Sequence, residues 1–155
     1  MYEHPNQQSD YRKRSWRHYY SGCSSAENHF EKSFFKEKFA TRLYEVNGIL
    51  YDLPDGVFDW KGVQVLRVGV RLGEVKGGRF EPSHSLAMCV KKYECRNTVE
   101  LSGENLERYL RGETVDTDAG NGWCLICVEG YALGLGKAVN GIVKNHYPKG
   151  LRKTK

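Results

Sequence analysis

Four glycine-containing turns limit what this chain can fold into: Asn47-Gly48, the Gly pair that follows Lys76, Glu129-Gly130 and Asn140-Gly141. Three of them join β-prone runs, and the Gly pair is a turn that closes a strand. A tight loop between antiparallel strands needs backbone with positive φ, and Asn-Gly is the strongest short signal for it. The chain should therefore be built largely from hairpins. "LYEVNGILYDLP" reads as two short strands. "VQVLRVGVRLGEV" (63–75) alternates with period two, with Val63, Val65, then Arg67, Gly69 and Arg71 on one side and Gln64, Leu66, Val68, Val70 and Leu72 mostly on the other. It predicts a long strand, bent at Gly69. "WCLICVEGYALGLGKAVNGIVKNHYP" divides into two or three strands at its two glycine turns. Gly134 and Gly136 lie inside one of these strands, where glycine marks a close approach of the backbone to another group.

Helical signals are short. Ser24 and Glu27 have capping-box spacing, which predicts a helix to about Ala40 with Phe30, Phe34, Phe35 and Phe39 on one packing stripe. Ser83 is an expected N-cap for a helix that offers Leu86, Met88, Cys89 and Val90 to the core. "NTVELS" is a strand leading to a second N-cap, Ser102. "GENLERYLRG" is then a helix with Leu106, Tyr109 and Leu110 inward and a stop at Gly112. "ETVDTDAGNG" reads as an acidic loop. About six short strands with small helices predict an α+β chain arranged as a compact mixed barrel rather than a doubly wound sheet.

With 155 residues, one domain with an N-terminal extension is expected. The divisions are a flexible basic leader at 1–22, an amphipathic helix packing on the domain at 23–41, and the main domain with a basic tail at 42–155. No run approaches the length of a membrane span, and the first residues contain no apolar signal region, which points to the cytoplasm. Five cysteines, an odd number, read as reduced thiols. "CLIC" (124–127) is formally C-x-x-C, and Cys89 and Cys95 supply two more sulfurs for a zinc site. On a strand, however, positions three apart face opposite ways, so core cysteines are expected, with no metal and no cofactor.

Charge is segregated. Residues 130–155 hold six Lys or Arg and no acid, residues 61–92 sum to +5, and residues 94–129 sum to −5. Basic segments suit polyanions, because neutralising phosphates releases counterions. Catalytic signatures are sparse. "GLGK" (134–137) lacks the spacing of a phosphate loop, and no His has a spaced metal-binding partner. What remains suits RNA. Arg67, Arg71, Arg79, Lys137, Lys144, Lys149 and Arg152 are expected on phosphates, and His84, Asn145, His146 and Tyr147 on bases or ribose. Two rival readings are an RNA-processing enzyme using His84 or His146 with Lys144, and an adaptor for a methyltransferase or a ribosomal protein using the acidic segment.

The strings "VLRVGVRLGEVKGGRFEPSHSLAM" (65–88), "YLRGE" (109–113) and "GWCLICVEGYALGLGKAVNGIVKNHYPKGLR" (122–152) resemble the C-terminal RNA-binding, PUA-like domain of bacterial RsmF-type 16S rRNA cytosine-C5 methyltransferases, of the Nol/Nop/Sun family. The resemblance runs from about Phe30 to Arg152. It implies a PUA-like pseudo-barrel with short flanking helices, and rRNA or tRNA as partner. The activity is not implied: the family's catalytic cysteines stand in Pro-Cys and Thr-Cys contexts, which this chain lacks. Met1 and the atypical leader point to a stand-alone, non-enzymatic binding module in RNA modification or ribosome biogenesis.

Overall fold

A computed structural model describes residues 17–19, 25–39, 43–53 and 69–154. Among the described residues, the strands form two five-stranded sheets. The first holds β1 (Arg17–Tyr19), β2 (Leu43–Val46), β3 (Ile49–Asp52), β4 (Val70–Lys76) and β5 (Arg79–Pro82), paired in that order. The second holds β6 (Thr98–Glu100), β7 (Val115–Asp116), β8 (Gly122–Val128), β9 (Tyr131–Val139) and β10 (Ile142–Asn145), in the spatial order β6-β8-β9-β10-β7. Three helices, α1 (Ser25–Phe34), α2 (His84–Cys89) and α3 (Gly103–Leu110), flank them. This is the mixed α+β, PUA-like architecture expected from the sequence.

The predicted turns are all present. Asn47 and Gly48, Gly77 and Gly78, Glu129 and Gly130, and Asn140 and Gly141 each form a two-residue loop in which both residues have positive φ. That backbone matches the right-handed twist of the flanking strands. Glu129, at φ 50°, takes the strained position without being Gly or Asn.

Two cores meet at β8. Leu125 and Cys127 join Phe30, Phe34, Phe35, Leu50, Leu72, Phe80 and Leu86 on one face; Cys124 and Ile126 join Val99, Tyr109, Val115 and Val143 on the other. All four residues of "CLIC" are fully buried. The thiols thus lie in different cores, as strand alternation requires. Burial pushes the Cys124 and Cys127 thiols up to about 11, and the Cys95 thiol to about 12. Among the described residues, no group of three metal-ligating side chains gathers. With Cys23 replaced by Ser, the native protein should take up one equivalent of an aromatic disulfide reagent, at the exposed Cys89, and four after denaturation. Rapid native uptake of more than one equivalent would show that the buried set is open to solvent.

Several details differ from the sequence reading. The capping pair Ser24 and Glu27 and the strand portion 63–68 lie outside the described side chains. α1 ends at Phe34, not near Ala40, because a separate segment caps it: the Arg96 amide donates to Phe34 O (2.8 Å), and the Arg96 guanidinium donates to Phe35 O (2.6 Å) and Lys36 O (3.2 Å). Phe35 and Phe39 still stack on each other, 4.4 Å apart, from beyond the helix. Ser83 does not cap α2; its hydroxyl donates to Arg71 O and ties α2 to β4. Met88 and Cys89 face solvent, since the short helix buries only Leu86 and Ala87. The acidic loop contains β7, held by pairing with β10, with Val115 fully buried. No helix among the described residues is long and apolar enough to cross a membrane.

Candidate nucleic-acid interface

The second sheet brings basic and aromatic residues into one row. Trp123 on β8 is opposite Lys137 on β9, which is opposite Lys144 on β10. Residues directly opposite share a face, with Cβ atoms about 5 Å apart. His146 is two residues beyond Lys144 and so lies on that face too. Its ring meets the Trp123 ring at 4.5 Å, tilted by 62°. The Lys137 ammonium sits 5.6 Å from the centre of the same indole. Lys144 and His146 are exposed, and Trp123 is half-buried against the first core. Neither lysine has an acidic partner among the described residues. Desolvation lowers the His146 pKa, opposed by Glu81 of β5 and assisted by Lys137, so its ring is neutral at pH 7.

The opposite face of β10 is occupied differently. The Asn145 amide nitrogen donates to Tyr109 O (2.8 Å) and Glu113 O (2.9 Å), and its oxygen accepts from the Tyr147 amide (2.8 Å). The Arg152 guanidinium donates to Tyr147 O through Nε (3.2 Å) and Nη2 (3.0 Å). It lies against Gly112, where a Cβ would meet it at 2.6 Å. Lys153 completes the strap: its amide donates to Leu110 O and its ammonium to Glu107. Tyr147 is half-buried between His84 (5.6 Å) and Tyr109 (5.4 Å). The tail is therefore folded down onto the end of α3, satisfying carbonyls that the helix leaves open. Asn145 and Arg152 spend their polar atoms inside the protein.

The remaining expected residues divide in two. Arg71 and Lys76 both reach Glu74, at 3.2 and 2.5 Å, so that part of the first sheet is compensated. Nε of Arg71 and Nδ1 of His84 are buried without a hydrogen-bond partner, and desolvation lowers the His84 pKa. Arg79 and Lys149 are exposed, and neither forms an ion pair with a described residue. Arg67 lies outside the described residues. The structure thus gathers Lys137, Lys144 and His146; strand alternation turns Tyr147 away from them, and His84 of α2 packs against Tyr147.

Trp123 is the residue that sequence reasoning missed. From the Glu129-Gly130 turn alone, unbroken pairing sets Trp123 opposite Gly136 and turns Lys137 to the other face. β9 instead carries an extra residue, Leu133, because Ile126 is opposite Gly134 and Cys127 opposite Ala132. This bulge moves the register by one.

Comparison with known proteins divides the chain near the same place as its two sheets. Residues 29–90 match the family described as RsmF rRNA methyltransferase first C-terminal domain, and residues 96–153 match the methyltransferase RsmF PUA domain. Similar curated proteins include the ribosomal RNA small subunit methyltransferase F of Psychromonas ingrahamii, 28% identical over 131 residues, which are 79% of this chain and 27% of that protein. Its counterpart from Aeromonas salmonicida is 30% identical over 87 residues, 55% of this chain and 18% of the relative. That from Erwinia tasmaniensis is 28% identical over 113 residues, 71% and 24%. The chain spans about a quarter or less of the length of these relatives.

Proposed function

The chain carries the first C-terminal domain and the PUA domain of the RsmF rRNA methyltransferases, and from that premise we propose that it is a non-enzymatic RNA-binding module acting in rRNA modification or ribosome biogenesis in the bacterial cytoplasm. Structured rRNA is its first partner and tRNA the next. The observation that carries this reading is the Lys137–Lys144 cross-strand pair, half-buried at Lys137 and exposed at Lys144, with no acid to neutralise it among the described residues, beside a neutral, ring-braced His146. Arg79 and Lys149 extend the phosphate-binding set. Arg71, Asn145 and Arg152 act one step back: they hold β4 and the tail in the shape that presents the exposed residues. His84 and Tyr147 pack at the junction of α2 and β9 and set the base of the tail. The basic leader expected over 1–22 is not free along its whole length, because Arg17–Tyr19 pair with β2 as β1.

The test is binding of the purified chain to fluorescent rRNA and tRNA fragments and to duplex DNA over a salt series, with RNA integrity checked afterwards. Selective binding of intact RNA, weakening steeply as salt rises, is expected. RNA cleaved without added metal would replace the module with a nuclease. No binding at low salt would leave the basic row a solvated face and turn attention to protein partners.

A further inference from the structure

The Trp123–His146 pair is built as a ring platform rather than as a charge patch. Trp123 is half-buried and anchored by the first core. His146, the exposed member, is braced by that indole, and its amide donates to Leu135 O at 3.2 Å. The residue before it, Asn145, makes three hydrogen bonds: it donates to Tyr109 O of α3 and to Glu113 O just beyond it, and accepts from the Tyr147 amide. The His146 ring therefore has little freedom left to lose on binding. Lys137 and Lys144 flank it on the same face, each about one strand spacing from the next. A duplex keeps its bases stacked inside and offers edges and phosphates. A ring platform between cations is instead matched to a base that has left the stack.

We propose that the Trp123–His146 pair is a stacking site for one unpaired nucleotide of RNA, with the flanking phosphates held by Lys137 and Lys144. This rests on the RNA-binding reading above and specifies its ligand. His146 offers the stacking surface and Trp123 is a positioning residue. Tyr147, although adjacent and aromatic, takes no part, because it is turned to the other face under His84 and Tyr109. The neutral state of His146 keeps the ring uncharged at pH 7.

The test compares a short single-stranded RNA of mixed sequence with its own RNA duplex, using the full chain and fluorescence anisotropy at about 100 mM salt. The single strand should bind about tenfold more tightly than the duplex. His146→Ala should lose about tenfold on the single strand and little on the duplex. His146→Tyr should keep most of the affinity, which separates ring stacking from charge. Trp123→Phe retains the anchor in the core and should lose less than His146→Ala. Equal affinity for both forms, with His146→Ala like the wild type, would overturn the stacking site and leave RNA binding standing. Failure to bind either form would overturn the underlying reading as well.

Discussion

Gly134→Val should cost the protein about 4 kcal/mol of stability, read as a fall of roughly 12 °C in Tm or as an earlier urea transition. A Cβ at position 134 falls 2.5 Å from the Tyr109 hydroxyl oxygen and 3.2 Å from a ring carbon of Tyr147. Tyr109 cannot withdraw without loss. It is fully buried, and its hydroxyl donates to Leu135 O at 2.9 Å. Displacing it strands a polar group in a dry core, worth about 1–3 kcal/mol, and overpacking adds about as much again. Total stability for a domain is about 5–15 kcal/mol, so the variant is left with a thin margin. A double-mutant cycle isolates the cause. Gly134→Ala and Tyr109→Phe should each destabilise, and together they should cost less than the sum, because removing the hydroxyl removes the clash. Additive costs, or a Gly134→Val protein that melts with the wild type, would show that the glycine has another reason.

The second large effect is on binding. Lys137→Glu with Lys144→Glu should weaken RNA affinity about a hundredfold, close to 1.4 kcal/mol per reversed charge, and reduce the salt slope by about 1.4 for single strands. Lys144→Glu alone carries a sharper signature. Lys137 and Lys144 are directly opposite, and like charges in that position destabilise a sheet. Reversing one converts repulsion to attraction, so Lys144→Glu should gain a few tenths of a kcal/mol in urea denaturation while losing roughly tenfold in RNA affinity. A variant that loses both stability and binding would indicate damage to the fold, and one that keeps both would remove the pair from the site.

What could be read in the sequence was set by local chemistry. Glycine at a two-residue loop announces itself, so the hairpins at Asn47-Gly48 and Asn140-Gly141 were legible from residue type alone. So were the close approaches at Gly134 and Gly136, and the split of Cys124 and Cys127 between faces. Features decided by distant partners were not. The end of α1 depends on Arg96, some 60 residues away, and β7 exists only because β10 pairs with it. The candidate site suffered most from one residue. Leu133 bulges from β9, and without that slip Trp123 and Lys137 do not share a face. Asn145 and Arg152 looked like free polar groups because composition cannot show that Asn145 folds onto Tyr109 O of α3 or that Arg152 turns back onto Tyr147 O.

β8 is a party wall. Leu125, Cys127 and, from β9, Leu135 lie in the PUA segment, yet they complete the core around Phe30, Phe34 and Phe80 in the segment before it. The first segment cannot close its interior without them, whereas the core around Tyr109 lies wholly in the PUA segment, so a cut near residue 93 would leave the first with an open wall and the second with an exposed apolar face. Two stretches that similarity treats as separate domains share one core, and a single melting transition for both is the expected outcome of thermal unfolding.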